Sequence, residues 1–474
     1  MDSGTSAARA SGRPRILEAR RILDLAALRL APATAAGVLA AAHSGAVGQG
    51  LIAFAAVLFA AQAIERISFP LRLMPASQLL LRLGAPAAGL LIAWSIAAVT
   101  AGHGSIIEYE AALLGSWLVL LLGIFVRART VDGLRARVAV IGPRDFAADL
   151  ATELDAGGFA PYEVIGWLGP EGPAGEGPLR RLGALDDVRS VVVGDRIELL
   201  VSAAEAVGGD QVGATFERVA EHCLDLPVRM LTANQLYEET LGHVPAGTID
   251  AAWYRYIMHP RFVTSPTASK RVFDLVVGGL IAIVALPALA VAAVAIKLAD
   301  RGPIFYRQRR LGERGQTFEI LKLRTMRVDA EQGEPQWCAA DDHRVTSVGR
   351  LLRRTHVDEL PQLWNVLRGE MTLVGPRPER PEIVAELERR FPHYTRRRLV
   401  KPGIAGWAQL RCGYAGSEIG TAWKLCHDLF YIKHRSVLGD ALILAETAVV
   451  AFRDAHRALR SPGERFLVRQ GAGG

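Results

Sequence analysis

Four long apolar segments occupy the first 126 residues of the chain. A helix needs about 20 consecutive apolar residues to cross the hydrocarbon core of a bilayer, and each segment is close to that length. The segments are Ile22–Ala42, Leu51–Phe69, Leu83–Ala101 and Glu110–Val126. The pattern predicts an N-terminal four-helix transmembrane bundle over residues 22–130, preceded by a disordered cytoplasmic arm over residues 1–21.

Basic residues indicate which connections face the cytoplasm. Arginines precede the first apolar segment, surround the second connection and follow the fourth segment, whereas residues 43–50 and 102–110 contain no Lys or Arg. Cytoplasmic loops carry an excess of Lys and Arg. We therefore expect a multi-pass membrane protein whose N-terminus and whole remainder after Val126 are cytoplasmic.

After about Arg135 the pattern changes to short β-branched runs separated by helical stretches. Strands are predicted at Val138–Gly142, Tyr162–Leu168, Ser190–Val193 and Glu198–Ser202. Alternating strands and helices indicate a parallel, Rossmann-like α/β domain, here placed at residues 135–255. The spaced glycines of a dinucleotide site are missing, because Gly142 is followed by Pro143, Arg144 and Asp145. We expect a degenerate domain used for assembly or regulation, followed by a linker over residues 256–269.

A second apolar region reaches from Val272 to about residue 299. Lys270 and Arg271 precede it, Lys297 and Arg301 stand at its other end, and Pro287 lies in its middle. Proline removes a helical hydrogen bond and bends the helix. A kinked helix that enters the cytoplasmic leaflet and returns keeps both charged ends on one side. The pattern therefore favours a re-entrant helix over residues 272–299, although hydropathy alone leaves a plain crossing open.

The C-terminal third, residues 270–460, is crowded with arginine, glycine, proline and acidic residues. Taken alone, Asp358 and Glu359 have an ordinary explanation, since acidic residues are favoured in the first turn of a helix. Arginines close in sequence favour a catalytic role instead, because guanidinium groups suit forked contacts to phosphate. These arginines are Arg353, Arg354, Arg368, Arg377 and Arg380. Two carboxylates among these arginines, one of them able to hold Mg²⁺, are the groups that phosphoryl transfer requires.

Four motifs carry a resemblance to a known family. They are Phe318–Met326, Leu352–Val366, Leu373–Glu379 and Lys401–Gln409. The segment from Lys270 to about Phe452 resembles the bacterial sugar transferases, which are monotopic phosphoglycosyl transferases with a mainly α catalytic domain. The whole chain is similar to their long form, which initiates exopolysaccharide or O-antigen synthesis. The resemblance implies transfer of hexose-1-phosphate from a UDP-hexose to undecaprenyl phosphate, with release of UMP, at the cytoplasmic face of the bacterial inner membrane.

The resemblance also implies roles for individual residues. Asp358 matches the nucleophile that forms a phosphosugar–aspartyl intermediate, and Glu359 matches the carboxylate associated with Mg²⁺. Arg353 and Arg377 match arginines that handle phosphate. The remaining site candidates are Lys322 and Arg324 for phosphate, Lys270 and Arg271 as the anchoring entrance of the re-entrant helix, and Pro287 as its break.

Composition changes this picture little. Half of the residues are hydrophobic and the net charge is +7, which suits a protein beside a lipid bilayer or phosphate ligands. No zinc-finger spacing or RNA-binding signature is present in the sequence, so no nucleic-acid partner is expected. The long architecture suggests a homodimer. Glucose and galactose stay open as the hexose, and residues 461–474 are expected to form a tail.

Two other functions stay open at this point. A membrane-bound nucleotide-sugar dehydratase or epimerase would need a glycine fingerprint and a Tyr-x-x-x-Lys pair, and the sequence contains no such pair. A non-catalytic scaffold of polysaccharide assembly would explain the middle domain, but it leaves the cluster from Asp358 to Glu379 without a purpose.

Overall fold

A computed structural model gives the fold of the chain. It describes residues 16–44, 46–67, 75–101, 110–130, 135–156, 162–169, 179–203, 212–244, 267–328, 330, 342–391, 393–412 and 418–460. The chain divides into two compact units, Met1–Gly242 and His243–Gly474. Most of the predicted linker, the predicted tail and residues 1–15 of the predicted arm lie outside the described residues.

Helices occupy the described residues of all four apolar segments of the first unit. They are α1 (Ile16–Leu25), a π-helical turn (Ala26–Leu30), α2 (Ala31–Ser44), α3 (Val47–Ile67), α4 (Pro75–Ala101) and α5 (Glu110–Thr130). Ile22–Ala42 and Glu110–Arg127 are long and apolar enough to cross a membrane. The apolar parts of α3 and α4 are shorter, Val47–Ala63 and Arg82–Ala97. Four crossings therefore stay a prediction.

Small side chains let these helices approach closely. Ala33, Ala36, Ala53 and Ala93 are fully buried between α2, α3 and α4. A Cβ added at Gly89 of α4 would lie 2.5 Å from the Cα of Val57. Contact through small residues is typical of helices that pack in lipid, where close van der Waals packing replaces the hydrophobic effect.

Helix α1 is held by the α/β domain of its own unit. The Glu198 carboxylate accepts hydrogen bonds from the backbone N–H groups of Ile16, at 3.3 Å, and of Leu17, at 2.9 Å. A helix N-terminus has unpaired N–H groups and favours a negative charge. The cytoplasmic arm was predicted to be disordered up to residue 21, and this was wrong from Ile16 onward, because Glu198 caps a helix that begins there.

The α/β domain contains a five-stranded parallel sheet. Its elements are β1 (Ala136–Ile141), α6 (Arg144–Ala156), β2 (Tyr162–Leu168), β3 (Arg180–Gly183), α7 (Val188–Gly194), β4 (Leu199–Ser202), α8 (Val212–Cys223), β5 (Arg229–Thr232) and α9 (Ala233–Leu236). The strand order is β3-β2-β1-β4-β5, and each neighbouring pair is parallel. This is the order of the first five strands of a Rossmann sheet, so the predicted parallel sheet is confirmed.

One predicted strand of this sheet is wrong. Ser190–Val193 lies within helix α7. The helix buries Val188, Val191 and Val192, which share one face at a spacing of three and four residues, while Val193 is exposed. The β-branched run is helical because these valines form one face that packs against the core of the sheet. Strands β3 and β5 were not predicted.

Helices predominate in the second unit. It contains α10 (Thr267–Asp300), the antiparallel hairpin of β6 (Phe305–Leu311) and β7 (Thr317–Leu323), α11 (Ser347–Arg354), a 3₁₀ helix (Val357–Gln362), α12 (Leu363–Arg368), β8 (Thr372–Val374), α13 (Pro381–Arg390), a second 3₁₀ helix (Tyr394–Leu399), β9 (Gly403–Ala405), α14 (Trp407–Cys412), α15 (Glu418–His434) and α16 (Val437–Arg460). Strands β8 and β9 pair in parallel.

Helix α10 is the predicted re-entrant segment. It is 34 residues long and contains Pro287, so its full length of about 50 Å exceeds the thickness of the hydrocarbon core. Ala268–Asp300 is the third segment long and apolar enough to cross a membrane among the described residues. Large apolar side chains project from it, with Val284 79% exposed. These surfaces mark the chain as a membrane protein, while re-entry itself stays a prediction.

Candidate active site

A sharp turn of the backbone presents the acidic pair. His356 adopts a left-handed conformation, with φ 57° and ψ 14°, and directs the chain from α11 into the 3₁₀ helix that carries both carboxylates. Asp358 is buried, at 7% exposure, and Glu359 is half-buried. The predicted helical first turn is therefore present, and it places two adjacent carboxylates inside the domain.

Two cations hold the Glu359 carboxylate. Lys322 Nζ lies 2.8 Å from Oε1, and Arg377 donates to both oxygens, with Nη2 2.5 Å from Oε1 and Nη1 3.1 Å from Oε2. Burial by itself raises the pKa of Glu359, but the charges of Arg377 and Lys322 outweigh burial and hold this pKa well below 4.5. Glu359 is therefore ionised at neutral pH.

Asp358 has a different environment from its neighbour. Among the described residues, no group donates a hydrogen bond to its carboxylate. Burial and then the negative charge of Glu359 raise the pKa of Asp358 to about 6, against the opposing charges of Lys322 and Arg353. The arrangement leaves Asp358 ionised at neutral pH, desolvated and unbonded, which are the properties of an activated carboxylate nucleophile.

The structure brings some of the predicted phosphate ligands to this pair and places others elsewhere. Arg353 of α11 donates from Nε to Thr325 Oγ1 at 2.8 Å, and its charge favours ionised Asp358. Arg324 is buried and pairs with Asp300 at the end of α10. Lys322, Arg353 and Arg377 therefore surround the carboxylates, and the role of Arg324 in binding phosphate stays a prediction.

Asn365 holds strand β7 in place, and the sequence analysis did not identify it. Its side chain, 2% exposed, accepts a hydrogen bond from Leu321 N at 3.0 Å and donates to Glu319 O at 2.7 Å. These two bonds hold β7 on both sides of residue 320, next to Lys322. The only sequence signal was one amide within the apolar run from Leu363 to Val366.

A second feature missed by the sequence analysis is a buried cluster around Arg397, which contacts the backbone of Arg377. Arg397 is buried and donates from Nε to Asp428 Oδ2 at 2.7 Å and from Nη1 to Tyr394 Oη at 2.6 Å. Its remaining nitrogen, Nη2, donates to the backbone oxygen of Arg377 at 3.1 Å. Burial raises the pKa of Tyr394 to about 12, so this hydroxyl stays protonated. The run Arg396–Arg398 was the available signal, but a run does not show which arginine is buried.

The two carboxylates are also the candidate ligands for Mg²⁺. The described residues contain no cluster of three or more His, Cys, Asp and Glu side chains suited to a metal. Mg²⁺ commonly takes only one or two carboxylates and completes its shell with water and substrate phosphate. Glu359 Oε2 accepts one hydrogen bond and keeps a lone pair, and Asp358 keeps its own. The donor set therefore fits the ion.

Comparison with known proteins assigns the segment that holds this site. Residues 265–454 match the family described as bacterial sugar transferase. A UDP-glucose:undecaprenyl-phosphate glucose-1-phosphate transferase of Caulobacter vibrioides is 42% identical over 180 residues, which are 38% of this chain and 67% of that protein. The chain belongs to the bacterial sugar transferase family. All the site residues described above lie in the segment that matches the family.

Other relatives of this bacterial sugar transferase carry different names. A UDP-N-acetylgalactosamine-undecaprenyl-phosphate N-acetylgalactosaminephosphotransferase of Aeromonas hydrophila is 41% identical over 178 residues, 38% of this chain. The chain spans 42% of that relative's length. An exopolysaccharide production protein of Sinorhizobium fredii, ExoY, is 34% identical over 194 residues, 38% of this chain and 83% of that protein. The family match, residues 265–454, lies within the second unit.

Proposed function

We propose that this protein transfers hexose-1-phosphate from a UDP-sugar to undecaprenyl phosphate and so initiates an exopolysaccharide or related glycan. The observation that carries the proposal is the different bonding of the two carboxylates in the acidic pair. Glu359 is held by Lys322 and Arg377, whereas the carboxylate of Asp358 accepts no hydrogen bond from the described residues. The names of the relatives supply the class of donor and acceptor.

The reaction takes two displacements at one phosphorus atom. An Asp358 oxygen attacks the phosphorus that carries the sugar, the bond from that phosphorus to the bridging oxygen breaks, and UMP leaves with the electron pair. A phosphate oxygen of undecaprenyl phosphate then attacks the same phosphorus, and Asp358 leaves as a carboxylate. The covalent intermediate divides one difficult step into two. It also removes the need to bind nucleotide and lipid at once.

The cations around the pair suit this chemistry. Phosphoryl transfer places negative charge on the equatorial and leaving oxygens, and fixed positive charges stabilise it. Lys322, Arg353 and Arg377 provide such charges. When bound through Asp358 and Glu359, Mg²⁺ would neutralise part of the diphosphate charge. The ion pairs of Glu359 with Lys322 and Arg377 hold both cations beside Asp358.

We further propose the topology predicted from the sequence. The four N-terminal helices cross the bacterial inner membrane, and α10 re-enters the cytoplasmic leaflet near Pro287. The arginines that flank the apolar segments support this orientation, because they place the acidic pair on the side where nucleotide sugars are made. The homodimer also stays a prediction.

The test is release of UMP by the purified full-length chain in lipid nanodiscs. Mg²⁺ and undecaprenyl phosphate are supplied with a panel of UDP-sugars, including the glucose, galactose, N-acetylglucosamine and N-acetylgalactosamine forms. We expect release with a restricted set of donors and loss of release in Asp358→Asn. Asp186→Asn, the same change at an exposed residue of the first unit, is the matched control and should retain release.

Omission of the lipid acceptor tests the intermediate. A two-step path predicts a rapid burst of UMP that approaches one equivalent per protein, with a sugar-phosphate adduct visible by mass spectrometry on the peptide that contains Asp358. Release of UMP by Asp358→Asn at the wild-type rate would contradict the proposed nucleophile. No release from any donor by folded protein would contradict the proposed function.

A further inference from the structure

The entrance of α10 is bonded into the protein rather than presented to the membrane surface. Lys270 Nζ lies 2.6 Å from Asp440 Oδ2 of α16 and 3.3 Å from the backbone oxygen of Val374. The Asp440 side chain is 1% exposed and that of Lys270 is 23% exposed. A lysine that only anchored the helix to lipid headgroups would keep its ammonium group in water.

One turn further, Asp274 binds strand β8. Its Oδ2 accepts a hydrogen bond from Thr372 Oγ1 at 2.7 Å, and its Oδ1 accepts one from Leu373 N at 3.1 Å. Both Asp274 and Thr372 are buried. The first two turns of α10 therefore contact all three residues of β8 through side chains that carry charge or specific hydrogen bonds.

Tyr431 of α15 completes the contact with β8. Its hydroxyl lies 2.7 Å from the backbone oxygen of Val374 and 2.9 Å from Asp440 Oδ1. Three helices thus meet at the last residue of β8. Arg377, which binds Glu359, follows Val374 by three residues. The position of β8 therefore constrains the backbone from which the Arg377 side chain extends.

Arg271 makes the matching contact on the other side of the site. Its Nη1 donates to Val366 O at 2.6 Å, and its Nη2 donates to Leu367 O at 2.7 Å. These are carbonyl groups at the C-terminal end of α12, where helical partners are lacking and a cation is favoured. Helix α12 directly follows the 3₁₀ helix that carries Asp358 and Glu359.

We propose that Lys270 and Arg271 are positioning residues that fix the two segments of the active site against each other and against the membrane helix. Lys270 and Asp274 hold strand β8, which leads to Arg377. Arg271 holds helix α12, which follows the acidic pair. The role rests on the proposed function. Ion pairs and hydrogen bonds between buried groups restrict the segments that they join, and an error of about 1 Å in a catalytic site can cost about a hundredfold in rate.

The alternative role is the one implied by the family resemblance, an anchoring entrance of the re-entrant helix, which would contact lipid headgroups. Two substitutions separate the roles. Lys270→Arg keeps the charge but replaces a compact ammonium group by a planar guanidinium, which does not fit the same pair of oxygens. Lys297→Met removes an exposed lysine from the opposite end of the same helix. If Lys270 is an anchor, Lys270→Arg should keep the reaction rate and Lys297→Met should lower it. If Lys270 is a positioning residue, Lys270→Arg should lower the rate and Lys297→Met should keep it.

The experiment measures the UMP burst in nanodiscs without lipid acceptor for wild type, Lys270→Met, Lys270→Arg, Arg271→Met and Lys297→Met. The burst amplitude reports how much protein is folded and competent, and the rate constant reports the geometry of the site. We expect the three entrance variants to lower the rate constant by about tenfold to a hundredfold, with half-saturation by donor changed far less. Lys297→Met should keep the wild-type rate constant.

An unchanged rate constant in Lys270→Met and Lys270→Arg, whatever the amplitude, would overturn the positioning role. An equal fall in Lys297→Met would do the same. If the entrance variants give no burst at all, Tyr431→Phe provides the test. It removes only the hydroxyl beside Val374 and Asp440. A wild-type rate constant in this variant would overturn the positioning role. A wild type without a burst would instead contradict the proposed two-step path, and absence of release in the presence of lipid acceptor would contradict the proposed function.

Discussion

Arg377 and Glu359 form a two-point ion pair, with Nη2 2.5 Å from Oε1 and Nη1 3.1 Å from Oε2. Lys322 shares Oε1 at 2.8 Å, so one carboxylate holds two cations from different parts of the chain. The ionised Glu359 in turn raises the pKa of Asp358. The pair therefore controls both the positions of the cations and the ionisation of the proposed nucleophile.

Replacement of Glu359 by Gln should slow the reaction and move its pH dependence. The amide leaves the charges of Lys322 and Arg377 without their carboxylate partner, so we expect the rate of UMP release to fall at least about a hundredfold. Loss of the negative charge also lowers the pKa of Asp358, so the remaining activity should extend to lower pH. Rates from pH 4.5 to 8 test both effects, with the surface substitution Glu386→Gln as control. An acidic limb at the wild-type pH would contradict the electrostatic coupling.

The wild-type burst should depend on pH through Asp358. A carboxylate must be ionised to attack phosphorus, and the pKa of Asp358 is about 6. The rate constant should therefore fall about tenfold per pH unit below pH 6 and level off above about pH 7. Single-turnover measurements across this range provide the test. A flat profile down to pH 4.5 would mean that the reacting group is not a carboxylate with a raised pKa.

Asp358→Asn should stabilise the folded protein while it abolishes the reaction. The folded-state pKa of about 6 exceeds the ordinary value of 3.8, so ionisation of this carboxyl disfavours folding above pH 6. A shift of about two units corresponds to about 3 kcal/mol, and the neutral amide avoids this cost. Thermal unfolding should show a higher Tm for the variant at pH 8, with the difference lost below about pH 4, where both folded and unfolded wild type are protonated. Asp186→Asn should show no such pH-dependent gain.

Arg397→Lys should damage both stability and activity. Lysine cannot make the three directed contacts of the guanidinium to Asp428, Tyr394 and the backbone oxygen of Arg377. Loss of a hydrogen bond to a charged group costs about 1.5–3 kcal/mol, and release of the Arg377 backbone should reduce UMP release from the fraction that stays folded. Tm and burst rate constant measured on the same samples separate the two effects. Arg390→Lys, on the exposed face of α13, should change neither.

Gly349→Ala tests the contact between α11 and the end of β7. A Cβ at residue 349 would lie 2.0 Å from the backbone oxygen of Thr325, so α11 must shift and carry Arg353 with it. Forced overpacking costs about 1–3 kcal/mol. We expect a lower Tm and a slower burst. Gly279→Ala is the matched control, because a Cβ there meets nothing within 4 Å; a Tm equal to that of this control would contradict the close contact.

Local patterns predicted the elements that depend on local physics. The apolar segments are helical, and β1, β2 and β4 lie near the predicted runs, because burial on both faces of a parallel strand favours β-branched residues. Ser190–Val193 became a helix because the same residues also satisfy a helical face. Arg324 shows a further limit, since its charge suited phosphate in sequence while its nearest carboxylate in the fold is Asp300.

The sequence by itself determined the order of the motifs, the family they resemble and the apolar surfaces that need a membrane, since these follow from composition and short-range spacing. Only the tertiary structure decided which cations hold Glu359. Lys322 is separated from it by 37 residues and Arg377 by 18. It also decided that Lys270 pairs with Asp440 inside the protein. An ion pair depends on a distance of a few ångströms between groups far apart in the chain, and packing alone sets that distance.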